Sequence, residues 1–409
     1  MPMNKKILTL LGFGHAMADI NQGALPMMLS FLMPVFALSQ LQVGMTVLAF
    51  NLASSIIQPL FGILTDRFRM AWLIPLGCLV AGAGMALTGF AANFHLLLPI
   101  VLISGLGVAA YHPEGSKYAR LASGEKKASG MSLFTLGGNL GLASGPILAT
   151  FFFGLAGLHG SAGFLVLNTI MAVLLWTSLN RITNPAGETK SAGKPADAPA
   201  AQAAPTASTT KQINLFRYVF PVILLVIVVI MRSFVHFGLI TFLPQYYMHY
   251  LHHSEKYAAA ITSMYLFAGA LGTIVGGPAA DRWGLKTVIM TSMALLIPLL
   301  YLFVHLGGIW PTVIAALIGF AVVSTFSVTV VLGQEMLPNN VGLASGLMLG
   351  FGIGMGGVGT TLLGWVADHW GLPAVFETAV LFPIIGLVLA LLLPSRQEIA
   401  RRQQIQQTA

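Results

Sequence analysis

Long apolar runs, each about as long as a bilayer is thick, repeat from one end of this chain to the other. A membrane-spanning helix needs roughly 20 such residues, and in hydrocarbon the backbone must satisfy its own N–H and C=O groups. Twelve spans can be drawn, at about 7–36, 41–65, 71–92, 95–119, 129–153, 161–180, 215–248, 255–280, 286–306, 310–334, 342–367 and 371–393. The 409-residue chain is 56% hydrophobic and only 8% charged, whereas a soluble domain is about 25% charged. A soluble core is therefore excluded, and the fold class is an all-α membrane protein of twelve transmembrane helices. The opening MPMNKKILTL is basic and then apolar, as a signal peptide is. The run that follows is too long and has no small-residue cleavage site, so it reads as a retained first span. The single cysteine, Cys78, lies in an apolar run. That excludes a disulfide framework or cysteine metal site and leaves a small core residue.

The net charge of +8 is a matter of topology. With the N-terminus inside, Lys5, Lys6, Arg67, Arg69, Lys126, Lys127, Arg181, Arg282, Lys286, Arg396, Arg401 and Arg402 fall in the cytoplasm or at its edge, and only Lys256 falls on the other side. This is the positive-inside pattern. It places both termini in the cytoplasm and gives no reason to expect a nucleic-acid partner. Residues 184–212, rich in Ala, Pro, Thr and Gly, cannot bury apolar surface and read as a flexible linker. The expected organisation is a six-helix bundle over 1–183, the linker over 184–212, a second six-helix bundle over 213–395 and a cytoplasmic tail over 396–409.

The halves echo each other. GILTDR ends the second span with Gly62, Asp66 and Arg67, and GPAADR ends the eighth with Gly277, Asp281 and Arg282, a constant offset of 215. ASG opens the fifth span at Ala128 and the eleventh at Ala344. A duplicated six-helix unit is the signature of a secondary transporter.

Ionisable groups at membrane depth cost several kcal/mol and mark function. In the first span His15, Asp19, Gln22 and Pro26 form one helical stripe, with Asp19 as the proton-titrating group and His15 as its modulator. The alternative is a hydrogen bond locking the first span to a neighbour. In the fourth span, Glu114 is either a second proton site or half of a Glu114–Lys117 pair at i+3, while His112 points nearly opposite. Arg120 is a gate contact or membrane-edge anchor. Arg232 lies mid-span in the seventh helix, too deep to snorkel, with His236 and Tyr247 on its stripe. Because the seventh span is the counterpart of the first, Asp19 and Arg232 occupy matching places in the two halves. Asp66, Arg67, Asp281, Arg282 and Glu335 are expected to gate the cytoplasmic side, Asp66 and Asp281 through helix dipoles and Arg67 or Arg282 through an acidic partner such as Glu335. Seven histidines (His95, His159, His249, His252, His253, His305, His369) fall at the outer span ends, as amphipathic rings do.

Twelve spans, a central linker and two G-x-x-x-D-R loops resemble the major facilitator superfamily. The first copy departs from that family's motif, with Arg69 and Met70 in DRFRM where Gly and a basic residue are usual, while DRWGLK keeps Gly284 and Lys286. YHPEGSKYARLASG (111–124), GGNLGLASGP (137–146) and the Asp-Ile-Asn of the first span are similar to the fosmidomycin resistance branch of drug exporters. Gly141, Gly145 and Pro146 partly match the exporters' antiporter signature, although close helix packing explains them equally. The resemblance implies two pseudo-symmetric bundles and proton-driven export of a small anionic compound across the bacterial inner membrane. Candidate substrate contacts are then Arg232, His236, Gln22, Lys117, Asn139 and Tyr247. The partners are a small molecule, protons and the lipid bilayer, with the protein acting as a monomer and no metal or organic cofactor. A proton-coupled importer of an organic acid uses the same parts. A membrane-embedded enzyme needs a nucleophile–base set or metal cluster at one depth, and the HPE stretch is not a zinc-protease motif.

Overall fold

The computed structural model describes residues 3–184, 215–337, 344, 346–395 and 398, and no strand occurs among them. The expected linker, apart from Asn184, and the expected tail, apart from Glu398, lie outside the described residues. The first six helices are Lys5–Phe36, Gln40–Asn51 with its continuation to Arg67, Leu73–Leu87, Phe94–Ala122, Lys127–Ala156 and Ala162–Thr177. The seventh to tenth are Leu215–Gln245, Glu255–Trp283, Leu285–His305, and Trp310–Val323 followed by Phe326–Met336. The eleventh runs through Gly346–Phe351 into Gly352–Trp370, and the twelfth is Leu372–Ala379 followed by Leu381–Leu391.

Local chemistry explains where these helices start and stop. Asn4, Asn93 and Ser254 each accept a hydrogen bond from an orphan N–H of the first turn, and Ser39 forms a reciprocal capping box with Gln42. Gly284 and Gly371 end the eighth and eleventh helices at φ values of 92° and 85°, where a side chain would be strained. By length and apolarity alone, nine stretches among the described residues qualify as spans, one of which, Gly130–Thr177, covers the fifth and sixth helices. The first and eleventh helices fall outside that set because His15, Asp19, Asn21 and Gln22 in one, and glycines in the other, dilute their apolarity. All six tryptophans are exposed and lie toward helix ends, as an interfacial belt requires.

Helix packing repeats the sequence echo. The first helix packs along the fifth, and the third packs on the fourth and sixth; the seventh likewise packs on the eleventh, and the ninth on the tenth and twelfth. The halves meet where the second helix lies on the eleventh and the fifth on the eighth. Among the helices expected to be continuous, two are interrupted beside the space between the halves. The second passes through a π turn at Leu52–Ile56, and the tenth breaks at Ser324–Thr325. Irregular backbone at membrane depth survives only where protein or a cavity surrounds it, and both interruptions adjoin the space between the halves.

The halves are tied together at the end opposite Lys5. Asp368, at the close of the eleventh helix, accepts from the N–H of Gln40 at 2.7 Å and of Leu41 at 2.9 Å, the first residues of the second helix. His249 bonds the Ser30 carbonyl at 2.9 Å, and Thr360 donates to the Gly44 carbonyl at 3.2 Å. A carboxylate on a helix N-terminus contributes about 0.5–2 kcal/mol. Asp368→Asn is therefore expected to open this end roughly fivefold more often, the equivalent of about 1 kcal/mol. Labelling of a Val47→Cys side chain by an impermeant thiol reagent, applied from that side in a Cys78→Ser background, measures the change.

Candidate functional site

Three side chains from two helices converge in the first bundle. The i, i+4 spacing brings His15 Nε2 to 3.1 Å from Asp19 Oδ2. From the fourth helix, His112 Nε2 lies 3.2 Å from Asp19 Oδ1 and 3.1 Å from His15 Nε2. The remaining ring nitrogens are also occupied: His15 Nδ1 lies 2.8 Å from the Phe134 carbonyl, and His112 Nδ1 lies 2.8 Å from the Val108 carbonyl. The His15 ring stacks on Phe134 at 4.2 Å. The Asp19 side chain is 9% exposed and the His112 side chain 21%, so His112 is the member of the cluster most open to exchange. The three ligand atoms lie within 4.8 Å of one another, a metal-like spacing. A metal needs all three lone pairs free, whereas the ring-to-ring contact needs a hydrogen between the rings, so the arrangement suits a proton better.

Glycine makes room for this cluster. A Cβ on Gly138, in the fifth helix, would lie 2.5 Å from His15 Nε2 and 2.6 Å from Asp19 Oδ2. Gly137, Gly141 and Gly145 give the first helix its close approach, against Gly12, Ala16 and Ala24 in turn. Gly141 and Gly145 thus pack helices together, and Pro146 lies inside the same helix. Gly138→Ala should preserve insertion, since Ala is the better helix former, while overpacking by about 1–3 kcal/mol splits the cluster. Transport by reconstituted Gly138→Ala protein is expected to fall at least about tenfold, a barrier change of 1.4 kcal/mol. A rate measured at matched protein levels checks this.

The second half contributes a buried cation. Arg232, 2% exposed at mid-helix, donates from Nη1 to Thr329 Oγ1 at 3.0 Å, and its guanidinium carbon lies 3.8 Å from the Phe326 ring centre. The break in the tenth helix precedes Phe326 and aims both partners at Arg232. Nε has no hydrogen-bond partner, and no Asp or Glu among the described residues forms an ion pair with the guanidinium. One turn on, His236 bonds the Tyr265 hydroxyl at 3.0 Å. His236 and Gln22 line a cavity of about 100 Å³ between the halves, with Asn51, Thr241 and Phe326.

Other expected residues lie elsewhere. Of the two readings open for Glu114, the structure forms the pair: Lys117 Nζ lies 2.9 Å from Glu114 Oε1 and also donates to the Thr65 carbonyl. Glu114 is fully buried and Lys117 is committed to it, so neither joins the cluster or the cavity. Tyr247 departs from the Arg232 stripe in the π turn Tyr246–Tyr250 and packs against Tyr257, His253 and Phe303. Asn139 is half-buried and does not line the cavity. Arg120, Asp281 and Arg282 are exposed at the Lys5 end, Glu335 is half-buried, and Arg282 lies beside the Trp283 ring. The side chains of Asp66 and Arg67 lie outside the described residues. His112 is the member that sequence reasoning missed. The sequence sets the direction of His112 only relative to Glu114 on its own helix, whereas the relevant reference is the first helix.

Known proteins match this architecture. The family model of the Major Facilitator Superfamily matches residues 11–260 and 225–409. The fosmidomycin resistance protein of Escherichia coli (strain K12) is 32% identical over 391 residues, covering 96% of this chain and 93% of its own. An uncharacterized MFS-type transporter of Bacillus subtilis (strain 168), YfnC, is 31% identical over 400 residues, covering 96% and 94%. A bacterial homolog of the human lysosomal transporter Spinster, in an inward-facing and occupied conformation, superposes with a TM-score of 0.75 at 14% identity, covering 96% of this chain and 97% of that one. These relatives and this fold are those of transporters, not enzymes. With its repeated six-helix packing, its polar groups held between helices and a family match that spans nearly its whole length, the chain belongs to the major facilitator superfamily.

Proposed function

We propose that this protein is a proton-coupled exporter of a small organic anion, of the phosphonate class, working by alternating access in a bacterial inner membrane. The observation that carries the reading is Arg232: a buried guanidinium beside the cavity between the halves, with no ion pair to any carboxylate among the described residues. An unpaired buried cation is costly, and an anionic ligand removes that cost. Guanidinium offers a planar pair of donors to a carboxylate or phosphonate. Proton coupling falls to the His15–Asp19–His112 cluster, between two helices of the first bundle. Substrate and proton then favour different states of one machine, which is the condition for coupled exchange.

The positive-inside distribution puts the Lys5 end in the cytoplasm, so the end latched by Asp368 faces outward. The two bundles, with boundaries near 183 and 213, rock about their shared contacts, and Asp66, Arg67, Asp281, Arg282, Arg120 and Glu335 act at the cytoplasmic gate. The name of the Escherichia coli relative supports an exporter of this substrate class.

Inside-out vesicles test the direction. With the lumen acid, they should accumulate a radiolabelled phosphonate, and accumulation only in right-side-out vesicles would make the protein an importer. Overproducing cells should tolerate the phosphonate but gain nothing against a detergent-like cation or a sugar analogue.

A further inference from the structure

We infer that the transferable proton sits on the imidazole pair His15–His112, with Asp19 as its permanent counter-charge, and that this pair loads one proton at a time. The inference rests on reading the cluster as the coupling site. Its ground is a count of hydrogens. The carbonyls of Phe134 and Val108 can only accept, so the nitrogen facing each of them, Nδ1 of His15 and of His112, carries hydrogen. The tautomers are thus assigned from their partners. The two Nε2 atoms then face each other at 3.1 Å, a distance that needs one hydrogen between them. Three N–H groups on two rings make one imidazolium and one neutral imidazole. Asp19, 3.1 and 3.2 Å away, balances the charge, and the cluster sums to zero in a buried site.

Both other loadings are unfavourable in this geometry. Removing the proton to water leaves two lone pairs and a carboxylate converging as three acceptors, with a net charge of −1. Adding a second proton sets two N–H groups head to head at 3.1 Å. Either change drives His112 away from the first helix, so loading becomes a displacement between helices. Groups on the neighbouring elements do not relieve this. Tyr111 donates to the Leu11 carbonyl at 2.6 Å, Cys78 lies 3.5 Å from the Gly14 carbonyl on the third-helix side, and Glu114 is held by Lys117. The fifth helix presents Phe134 and Gly138, the sixth presents Asn168 to Asn21 at 3.4 Å, and the seventh keeps Arg232 and His236 in the other half. Asp19 therefore stays ionised through the cycle and the rings alternate.

Solid-state NMR of the full-length protein in lipid, with ¹⁵N-labelled histidine, tests the assignment. At about pH 8 exposed imidazoles are neutral, and one imidazolium should remain, cross-correlated to one neutral ring protonated at Nδ1. His112→Gln and His15→Gln should each remove that signal completely. Infrared titration with ¹³C-labelled aspartate supplies a second readout needing no mutation, and no isotope-shifted carboxylic acid C=O band should appear across the range in which transport operates. An isotope-shifted acid band lost in Asp19→Asn, or an imidazolium signal surviving both histidine variants, overturns the inference. Both readouts are independent of transport. If transport proves not to be proton-driven while the imidazolium is present, the coupling reading fails and the proton assignment stands.

Discussion

Asp19→Asn should abolish pH-gradient-driven transport while leaving the protein folded and inserted. Asparagine keeps the shape of the side chain and can accept or donate a hydrogen bond, but it carries no charge. The imidazolium between His15 and His112 then has no counter-ion. Breaking a buried ion pair on one side costs about 3–5 kcal/mol, so the extra proton leaves and the cluster becomes two neutral rings beside an amide. Such a cluster has no loaded state to exchange. Transport driven by an acid lumen should fall to the level of empty vesicles. Chromatographic behaviour and thermal stability in detergent should stay close to wild type, because the deprotonated variant buries no unpaired charge. Undiminished gradient-driven transport by Asp19→Asn would remove this cluster from the mechanism.

Arg232→Ala should weaken binding of an anionic substrate by roughly a hundredfold or more. Losing a buried charge-assisted contact costs about 2–5 kcal/mol, and 1.4 kcal/mol is a factor of ten. Arg232→Lys should retain part of the affinity, because ammonium keeps the charge but loses the flat pair of donors and the face contact with Phe326. Titration calorimetry of the purified variants with a phosphonate gives the three affinities. The competing reading makes Arg232 only a counter-ion for Asp19. Asp19 is instead held by two histidines, and Arg232 by Thr329 and Phe326. The double variant Arg232→Ala with Asp19→Asn should therefore bind no better than Arg232→Ala. Recovery in the double variant would assign Arg232 to charge balance alone.

Much of this protein could be read along the chain. Apolar runs of bilayer length, the spacing of basic residues and the two G-x-x-x-D-R loops point to a duplicated twelve-span transporter, and the family match places the chain in a transporter superfamily. The pairing of His15 with Asp19 was equally legible, because i and i+4 share a face of any α-helix whatever surrounds it. So was the depth of Arg232, which follows from its distance to the span ends. What crosses from one helix to another was not legible. His112 reaches Asp19 only because small residues let the first helix approach its neighbours closely and Gly138 leaves space beside the carboxylate. Asp368 looks like one more acidic residue near a span end until the eleventh helix is laid against the second and its oxygens meet Gln40 and Leu41. Thr329 and Phe326 face Arg232 because the tenth helix breaks two residues earlier, where the local sequence reads as continuous helix. Sequence period sets which residues share a face. The rotation, crossing and interruption of helices decide which faces meet, and those depend on packing contacts between residues far apart in the chain.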